Sequence, residues 1–342
     1  MQPSFFDFED RWENLRNLNA AKVLVRLNSQ IDWEVFRTQL ETIRLQERKS
    51  NAGRKPFDVI LMFKIMVLQS LYNLSDEQAE FQIKDRMSFM QFLGLNWQSR
   101  VPDQKTIWLF REQLTKAGLV QPLFERFEQL LVDQGYEARR GQMVDATLVN
   151  VPIQRNSKDE NEQIKAGETP EDWSESKRRQ KDADARHTKK RKKSFFGYKN
   201  HANVDAEHKI IRDYEITTAS VHDSQVFEEL LGPAESNPDV YADSAYRSKE
   251  TERTLEQGNY KSHVHERAYR NKPLTDSQKE ANRKRSQTRV RVEHVFGSQL
   301  QLAGDLVIRT IGIVRAKTKI GLRNLSYNLN RYSLLSSKAV AQ

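Results

Sequence analysis

One aspartate in the middle of an apolar strand constrains this chain more than any other feature. The segment from Met143 to Val149 has the β-prone composition of a buried strand, and Asp145 lies near its centre. A charge in such a place is costly unless it is paired or solvated. Asp145 is therefore either an exposed residue of an edge strand or a residue with a function.

A second strand ends in the same way. The β-prone run 240–242 leads into Asp243, which lies 98 residues after Asp145 (243 − 145 = 98). Glu293 follows 50 residues later (293 − 243 = 50), beside the apolar face of a helical segment. The first and fourth strands of a mixed sheet can lie side by side. We therefore expect both aspartates at one edge of the core and the helix to bring Glu293 to the same point.

Three carboxylates on rigid elements indicate a metal site. The chain has no cysteine, and hard oxygen ligands suit Mg²⁺ or Mn²⁺. Two such ions about 4 Å apart would activate an attacking oxygen and stabilise a leaving oxygen on a phosphodiester. The alternative for Asp145 is a structural hydrogen-bond acceptor. The alternative for Glu293 is an ion pair with Arg289 at helical spacing.

The distribution of charge predicts the partner. The chain has 56 Lys and Arg against 47 Asp and Glu, a net charge of +9, and the excess is concentrated in a few stretches. Five successive cations occupy 189–193, and others crowd the first half of the helix that carries Glu293. Such stretches favour a polyanion, most commonly nucleic acid. The run 189–193 is then either a phosphate-contacting arm or an ordinary solvated segment.

Helical and strand patterns divide the chain. Residues 1–137 contain short amphipathic segments separated by Gly and Pro, which predicts an all-α domain. Residues 138–335 have strands first and strands alternating with helices later, which predicts an α/β domain with a mixed sheet. The polar segment 154–193 is expected to be a mobile charged insertion, and residues 336–342 a tail.

The helical domain is expected to contact DNA. Compact domains of short helices often contain helix-turn-helix units, and the segment 108–111 is the candidate recognition helix. The alternative is a helical domain that serves only for packing.

The N-terminal segment predicts a cytoplasmic, nucleoid-associated location if the source is bacterial. It lacks the basic start and apolar core of a signal peptide. The most apolar run, 59–71, is broken by Lys64 and is too short to cross a bilayer, so no membrane partner is expected.

Several short motifs occur in a characteristic order. They are Val-Asp-Ala-Thr at 144–147, Gly-Tyr-Lys-x-His at 197–201, His-Asp-Ser at 222–224, Ala-Asp-Ser-Ala-Tyr at 242–246 and Arg-Val-Glu-His-Val-Phe-Gly at 291–297. Their order and spacing resemble bacterial insertion-sequence transposases of the insertion sequence 5 group. The stretch from Gly53 to Arg111 also looks like that group's helical domain, so the resemblance runs from about residue 45 to 335.

The resemblance implies a DDE-type enzyme with an RNase H-like core and a divalent metal. It makes Asp145 and Asp243 the catalytic aspartates and Glu293 the catalytic glutamate, all three as metal ligands. Arg289 matches the arginine of the wider superfamily's Tyr–Arg–Glu–Lys signature, four residues before the glutamate.

Two positions depart from that signature. Ser286 stands at the tyrosine position and Leu300 at the lysine position, so we expect Lys284 or Arg285 to make phosphate contacts instead. The predicted DNA contacts are Arg289, Arg291, Lys284, Arg285, Lys189, Lys190, Arg191, Lys192, Lys193 and Lys199. His222 and Asp223 either support the carboxylates or cap a helix.

The sequence thus predicts a transposase that binds the terminal inverted repeats of its element, cuts the ends and joins the freed 3′-hydroxyls to target DNA. Holding two ends together implies at least a homodimer in the DNA complex. Two alternatives stay open: an RNase H-fold metal nuclease without strand transfer, and a non-catalytic DNA-binding protein derived from a transposase.

Overall fold

The described chain forms two units, one helical and one built on a sheet. The computed structural model describes residues 22–44, 55–190, 193–269 and 272–340. The helical unit comprises the residues up to Leu131 together with those from Gly321 onward, and the sheet unit comprises Val132–Ile320. The sequence places the division after residue 137 and the last helix wholly with the sheet. In the structure, Tyr332 of that helix packs edge-on against Phe127, with ring centroids 5.9 Å apart.

Within the described ranges, seven α-helices precede the sheet. They are α1 (Lys22–Gln30), α2 (Arg37–Glu41), α3 (Val59–Tyr72), α4 (Asp76–Asp85), α5 (Met87–Leu93), α6 (Gln104–Lys116) and α7 (Val120–Asp133), with 3₁₀ turns at Trp33–Phe36 and Thr42–Arg44. Three of them, α3, α4 and α6, begin at side-chain caps. Asp58 accepts the backbone N–H groups of Ile60 and Leu61, so α3 begins at Val59. Ser75 and Gln78 form a capping box at the start of α4.

Helix α3 is apolar nearly all round and forms the centre of the helical unit. Ten of its side chains are buried. In the described part of the chain, no single helix is long and apolar enough to span a membrane. Helices α3 and α4 together have the length and apolar composition of a span, but the chain bends by 102° between them.

The sheet unit contains six strands and the remaining helices. The strands are β1 (Gln142–Asn150), β2 (Arg186–Lys190), β3 (Lys193–Asp205), β4 (Ile211–Thr218), β5 (Asp239–Tyr241) and β6 (Lys261–Ser262). The helices are α8 (Lys158–Lys165), α9 (Glu175–Arg178), α10 (Lys249–Gln257), α11 (Asp276–Ala303) and α12 (Ile313–Val340), with 3₁₀ turns at Asp223–Val226 and Ser244–Tyr246.

The strand order confirms the predicted α/β class with an RNase H-like mixed sheet. The order is β4-β3-β1-β5-β6, and β2 also pairs with β3. β1 pairs with β3 antiparallel and with β5 parallel, and β5 pairs with β6 parallel. Three antiparallel strands followed by two parallel ones give the RNase H-like arrangement, in which the central strand β1 carries Asp145.

The segment 154–193 has more regular structure than its composition predicts. Ser157 and Glu160 form a capping box that starts α8, and β2 pairs with the beginning of β3. Trp173 and Ile164 are buried and supply the apolar contacts of this segment. Lys189 and Lys190 end β2 and Lys193 begins β3, while Arg191 and Lys192 lie outside the described residues. At the other end of the chain, the predicted tail is part of α12 up to Val340.

Candidate active site

The register of β1 and β5 places the two aspartates side by side. Gln142 pairs with Val240, an offset of 98 residues (240 − 142 = 98). Asp145 and Asp243 have the same offset, and residues at matching positions of neighbouring strands point to the same face of a sheet. The structure therefore brings together the two residues that the sequence singled out.

Asp145 is mostly buried and has both negative and positive charges near it. Its side chain is 19% exposed, and one carboxylate oxygen accepts the backbone N–H of Ala146 at 2.8 Å. Burial raises the pKa of Asp145 to about 6, and the charge of Asp243 adds to the increase, although the Ala146 N–H and the cations Arg289 and Lys190 oppose it. At Asp145, burial and the charge of Asp243 therefore outweigh the nearby positive charge.

Arg289 of α11 supplies part of that charge. Its Nη1 donates to Asp145 Oδ2 at 3.0 Å, and its Nη2 donates to Glu293 Oε1 at 2.8 Å. Glu293 therefore forms the helical ion pair with Arg289 that was the alternative to a metal-ligand role, and its side chain is 55% exposed. Among the residues that the structure describes, no three His, Asp or Glu side chains are placed to hold a metal ion together.

The turn after β5 contains a buried hydroxyl close to the aspartates. Asp243 accepts the N–H of Ala245 at 2.7 Å and caps the 3₁₀ turn that carries Tyr246. Tyr246 is 1% exposed, and its Oη has no hydrogen-bond partner among the described residues. Burial, followed by the charges of Asp145, Asp223 and Asp243, raises the pKa of Tyr246 well above its usual value. Three carboxylates thus act on one unpaired hydroxyl.

Asp223 and His222 have different surroundings. Asp223 accepts from Lys199 Nζ at 2.8 Å and lies 3.9 Å from Nδ1 of the buried His201. Lys199 is only 13% exposed, so it is bound inside the protein and does not face solvent as a DNA contact should. His222 accepts the N–H of Ser224 and caps the 3₁₀ turn, which is the structural alternative that the sequence left open.

The cations of α11 divide between structural and exposed positions. Arg285 donates to the carbonyl of Val264 at 2.8 Å, and Arg291 donates to the carbonyl of Ala206 at 2.5 Å. These two arginines fix the helix to the sheet, which differs from a purely DNA-facing role. Lys284 is exposed, as are Lys189, Lys190 and Lys193 of the β2–β3 hairpin.

A histidine that the sequence did not single out lies beside Asp243. The backbone ladder between β5 and β6 continues past β6, where His263 N donates to Val240 O at 2.8 Å and His265 N donates to Ala242 O at 3.1 Å. The offset between these strands is 22 residues (261 − 239 = 22), which matches His265 to Asp243 (265 − 243 = 22). A strand as short as β6 has no composition signal from which this register could be read.

Two family descriptions match the sequence. "Transposase DDE domain" matches residues 136–329, and "Transposase domain (DUF772)" matches residues 12–113. The solved structure titled "Cryo-EM structure of piggyBac transposase synaptic complex with hairpin DNA (SNHP)" is similar at 13% identity with a TM-score of 0.45, over 95% of this chain and 77% of that chain. The first family match spans more than half of the chain.

Proposed function

Because the chain belongs to the transposase DDE domain family, we propose that it is the transposase of a bacterial insertion sequence of the insertion sequence 5 group. It binds the terminal inverted repeats of its element, cuts DNA at the ends and joins the freed 3′-hydroxyls to target DNA. The observation that supports this function best is the placement of Asp145 on β1 beside Asp243, which lies two residues past the end of β5 at the same offset as the paired strands.

The two aspartates fit a divalent cation. Mg²⁺ in phosphoryl-transfer sites uses one or two carboxylates together with water and phosphate oxygens. Burial and the charge of Asp243 raise the pKa of Asp145, which supports the proposal that a cation would be favoured here. When bound, Mg²⁺ or Mn²⁺, in a pair of ions, would polarise the phosphate and lower the pKa of a bound water. Asp145 and Asp243 would hold it. Glu293 is the proposed third ligand, available once a DNA phosphate replaces it on Arg289.

The reaction has two balanced steps. In the first, a water oxygen bonds to phosphorus while the bond from phosphorus to the 3′ oxygen breaks. The water loses one proton and the leaving 3′ oxygen takes up one. In the second step, the oxygen of that 3′-hydroxyl bonds to a phosphorus of target DNA while the bond from that phosphorus to a 3′ oxygen of the target breaks. The attacking hydroxyl loses one proton and the leaving 3′ oxygen takes up one. Arg289 is placed to hold a phosphate near Asp145, because a guanidinium that now binds two carboxylates can exchange one for a phosphate.

DNA contacts outside the site fall on the exposed cations and on α6. Lys284 and the hairpin lysines face solvent and are the proposed phosphate contacts. On α6, Trp108 is 49% and Leu109 51% exposed, whereas Phe110 and Arg111 are buried. Only the first half of the segment 108–111 is therefore available for reading DNA. We place the active form, a homodimer holding two ends, in the bacterial cytoplasm with no membrane partner.

The test measures cleavage of a plasmid that carries the gene with its genomic flanks. The purified protein is incubated with this plasmid and Mg²⁺ or Mn²⁺. Asp145→Asn should lower the cleavage rate by about 10³-fold or more, since removing one carboxylate from the metal-holding pair costs several kcal/mol in the transition state. Binding of the flanking DNA should change less than about threefold, because the DNA contacts lie on cations. The matched control is Asp239→Asn on β5, the strand that leads into Asp243, at a residue that pairs with His263, 2.6 Å away.

Each result separates the candidates. Undiminished cleavage by Asp145→Asn would refute the proposed site. Cleavage without joining by the wild-type protein would identify a nuclease, and binding without cleavage would identify a non-catalytic DNA-binding protein.

A further inference from the structure

We propose that His265 is a further catalytic residue, whose Nδ1 accepts a hydrogen bond from the oxygen that attacks the phosphorus. That oxygen belongs to water in the first step and to the 3′-hydroxyl in the second. This inference rests on the proposed function, because it assigns a role in the same reaction.

His265 completes a row that begins at Asp145 on β1 and continues at Asp243 and His265, which lie just past the ends of β5 and β6. The backbone bond from His265 N to Ala242 O continues the β5–β6 ladder to this level. Asp145 follows the β1–β5 offset of 98 residues to Asp243, and Asp243 follows the β5–β6 offset of 22 residues to His265. The three residues are therefore at one level and on one face of the sheet. Helix α11 reaches this face at two points: Arg289 bonds Asp145, and Ser286 Oγ lies 3.4 Å from His265 Nε2.

The backbone on both sides of His265 is anchored to α11. The carbonyl of Val264 accepts from Arg285 at 2.8 Å. Glu266 and Asn282 exchange two hydrogen bonds, with Glu266 N donating to Asn282 Oδ1 at 2.9 Å and Asn282 Nδ2 donating to Glu266 O at 3.0 Å. The imidazole is thus positioned before any substrate binds, which is what an orienting residue requires.

The hydrogen bonds of Ser286 favour one tautomer of His265. Ser286 Oγ donates its one hydrogen to the carbonyl of Asn282 at 2.9 Å, so it can only accept from the imidazole. This arrangement favours the neutral imidazole with its proton on Nε2, which leaves a lone pair on Nδ1. Within the described residues, Nδ1 has no hydrogen-bond partner.

The charges around His265 favour the neutral ring. Burial lowers the pKa of His265, the positive charges of Arg289 and Arg285 lower it further, and Asp243 opposes them. A neutral ring with a free Nδ1 can accept from a hydroxyl, and it turns the lone pair of that hydroxyl oxygen toward the phosphorus. It cannot donate to a phosphate through the same atom.

The experiment compares three substitutions in single-turnover cleavage of a linear duplex that carries one genomic flank of the gene. His265→Ala should slow cleavage by about 10²-fold, the effect of a lost orienting contact, while binding of the duplex changes less than about threefold. His265→Asn places an amide near the position of Nδ1 and should restore the rate to within about tenfold of wild type. His265→Gln places its amide near Nε2 and should remain as slow as His265→Ala.

The matched control is His263→Gln, two residues earlier, because an amide near Nε2 keeps the bond to Asp239. It should cut at the wild-type rate. Equal rates for wild type and all three His265 variants would overturn the inference, and so would equally slow His265→Ala and His265→Asn proteins with unchanged unfolding temperatures. Absence of cleavage by the wild-type protein would overturn the proposed function and this inference with it, whereas wild-type cleavage with unaffected His265 variants would overturn the inference alone.

Discussion

Arg289 is the residue on which the charge balance of the site depends. Its guanidinium holds a carboxylate of the sheet and a carboxylate of its own helix, 3.0 and 2.8 Å away. Its Nε is buried and has no hydrogen-bond partner among the described residues. Arg289 can exchange a carboxylate for a phosphate when DNA enters. Asp145 and Glu293 would then have a metal ion as their counter-charge in place of the guanidinium.

At the same scale, Tyr246→Phe should leave the protein as stable as the wild type or make it more stable by about 1 kcal/mol, because a buried hydroxyl without a partner costs free energy. The ring keeps its contact with Phe227, whose centroid lies 5.2 Å away. Urea unfolding of the DNA-free protein measures the change as a shift of the midpoint. A loss of more than about 1 kcal/mol would mean that the hydroxyl contributes a bond in solution.

The sequence predicts some residues of the site and not others, for physical reasons. Asp145 and Asp243 were identifiable because a carboxylate in an apolar strand stands out against its neighbours. His265 follows a two-residue strand, and its place depends on a backbone ladder that composition does not encode. The pairing of Glu293 with Arg289 was foreseen as an alternative, because helical spacing alone brings such charges together.

At the scale of elements, the backbones of β3 and β1 approach closely where Gly197 pairs with Asn150, and only glycine fits there. Gly197 has φ +152°, and a Cβ at this position would lie 2.1 Å from the carbonyl oxygen of Val149. Gly197→Ala should therefore destabilise the protein by about 3 kcal/mol, through backbone strain and displacement of β1. Thermal unfolding monitored by circular dichroism would show the loss.

The matched glycine is Gly297 in α11, where a Cβ would meet no heavy atom within 4 Å. Gly297→Ala should stabilise the protein by about 0.5–1 kcal/mol, the difference in helix propensity. Equal effects of the two substitutions would contradict the close approach of β3 to β1.

Elements with strong periodicity were predictable, and those held by tertiary contacts were not. Helix α11 and the strands that open the second domain follow from their patterns. The segment around α8, α9 and β2 did not, because its regularity depends on a capping box and on pairing with β3, whereas its composition is that of a solvated loop.

At the scale of the whole molecule, the net charge of +9 predicts binding to DNA that weakens with salt. Each phosphate contact contributes about 0.9 to the slope of log affinity against log salt concentration. Replacing Lys189 and Lys193 of the β2–β3 hairpin together by Gln should therefore reduce the slope by about 1.8. Fluorescence anisotropy with a labelled duplex between about 50 and 200 mM salt covers the useful range.

The control removes the same charge elsewhere. Lys249 and Lys261 are exposed on α10 and β6, and replacing both by Gln should leave the slope unchanged. A slope reduced equally by both pairs would mean that net charge matters and that the hairpin makes no particular contact.

The division of α12 between the two units has a consequence for the order in which the protein can mature on the ribosome. The sheet unit is one continuous stretch, Val132–Ile320, whereas the helical unit needs the first part of the chain together with residues from Gly321 onward. Domains usually mature in the order of their synthesis. Here the part made first must wait for the part made last, with the apolar surface around Phe127 uncovered until Tyr332 has been synthesised. We therefore expect the nascent helical unit to need a chaperone until the residues from Gly321 onward have been synthesised.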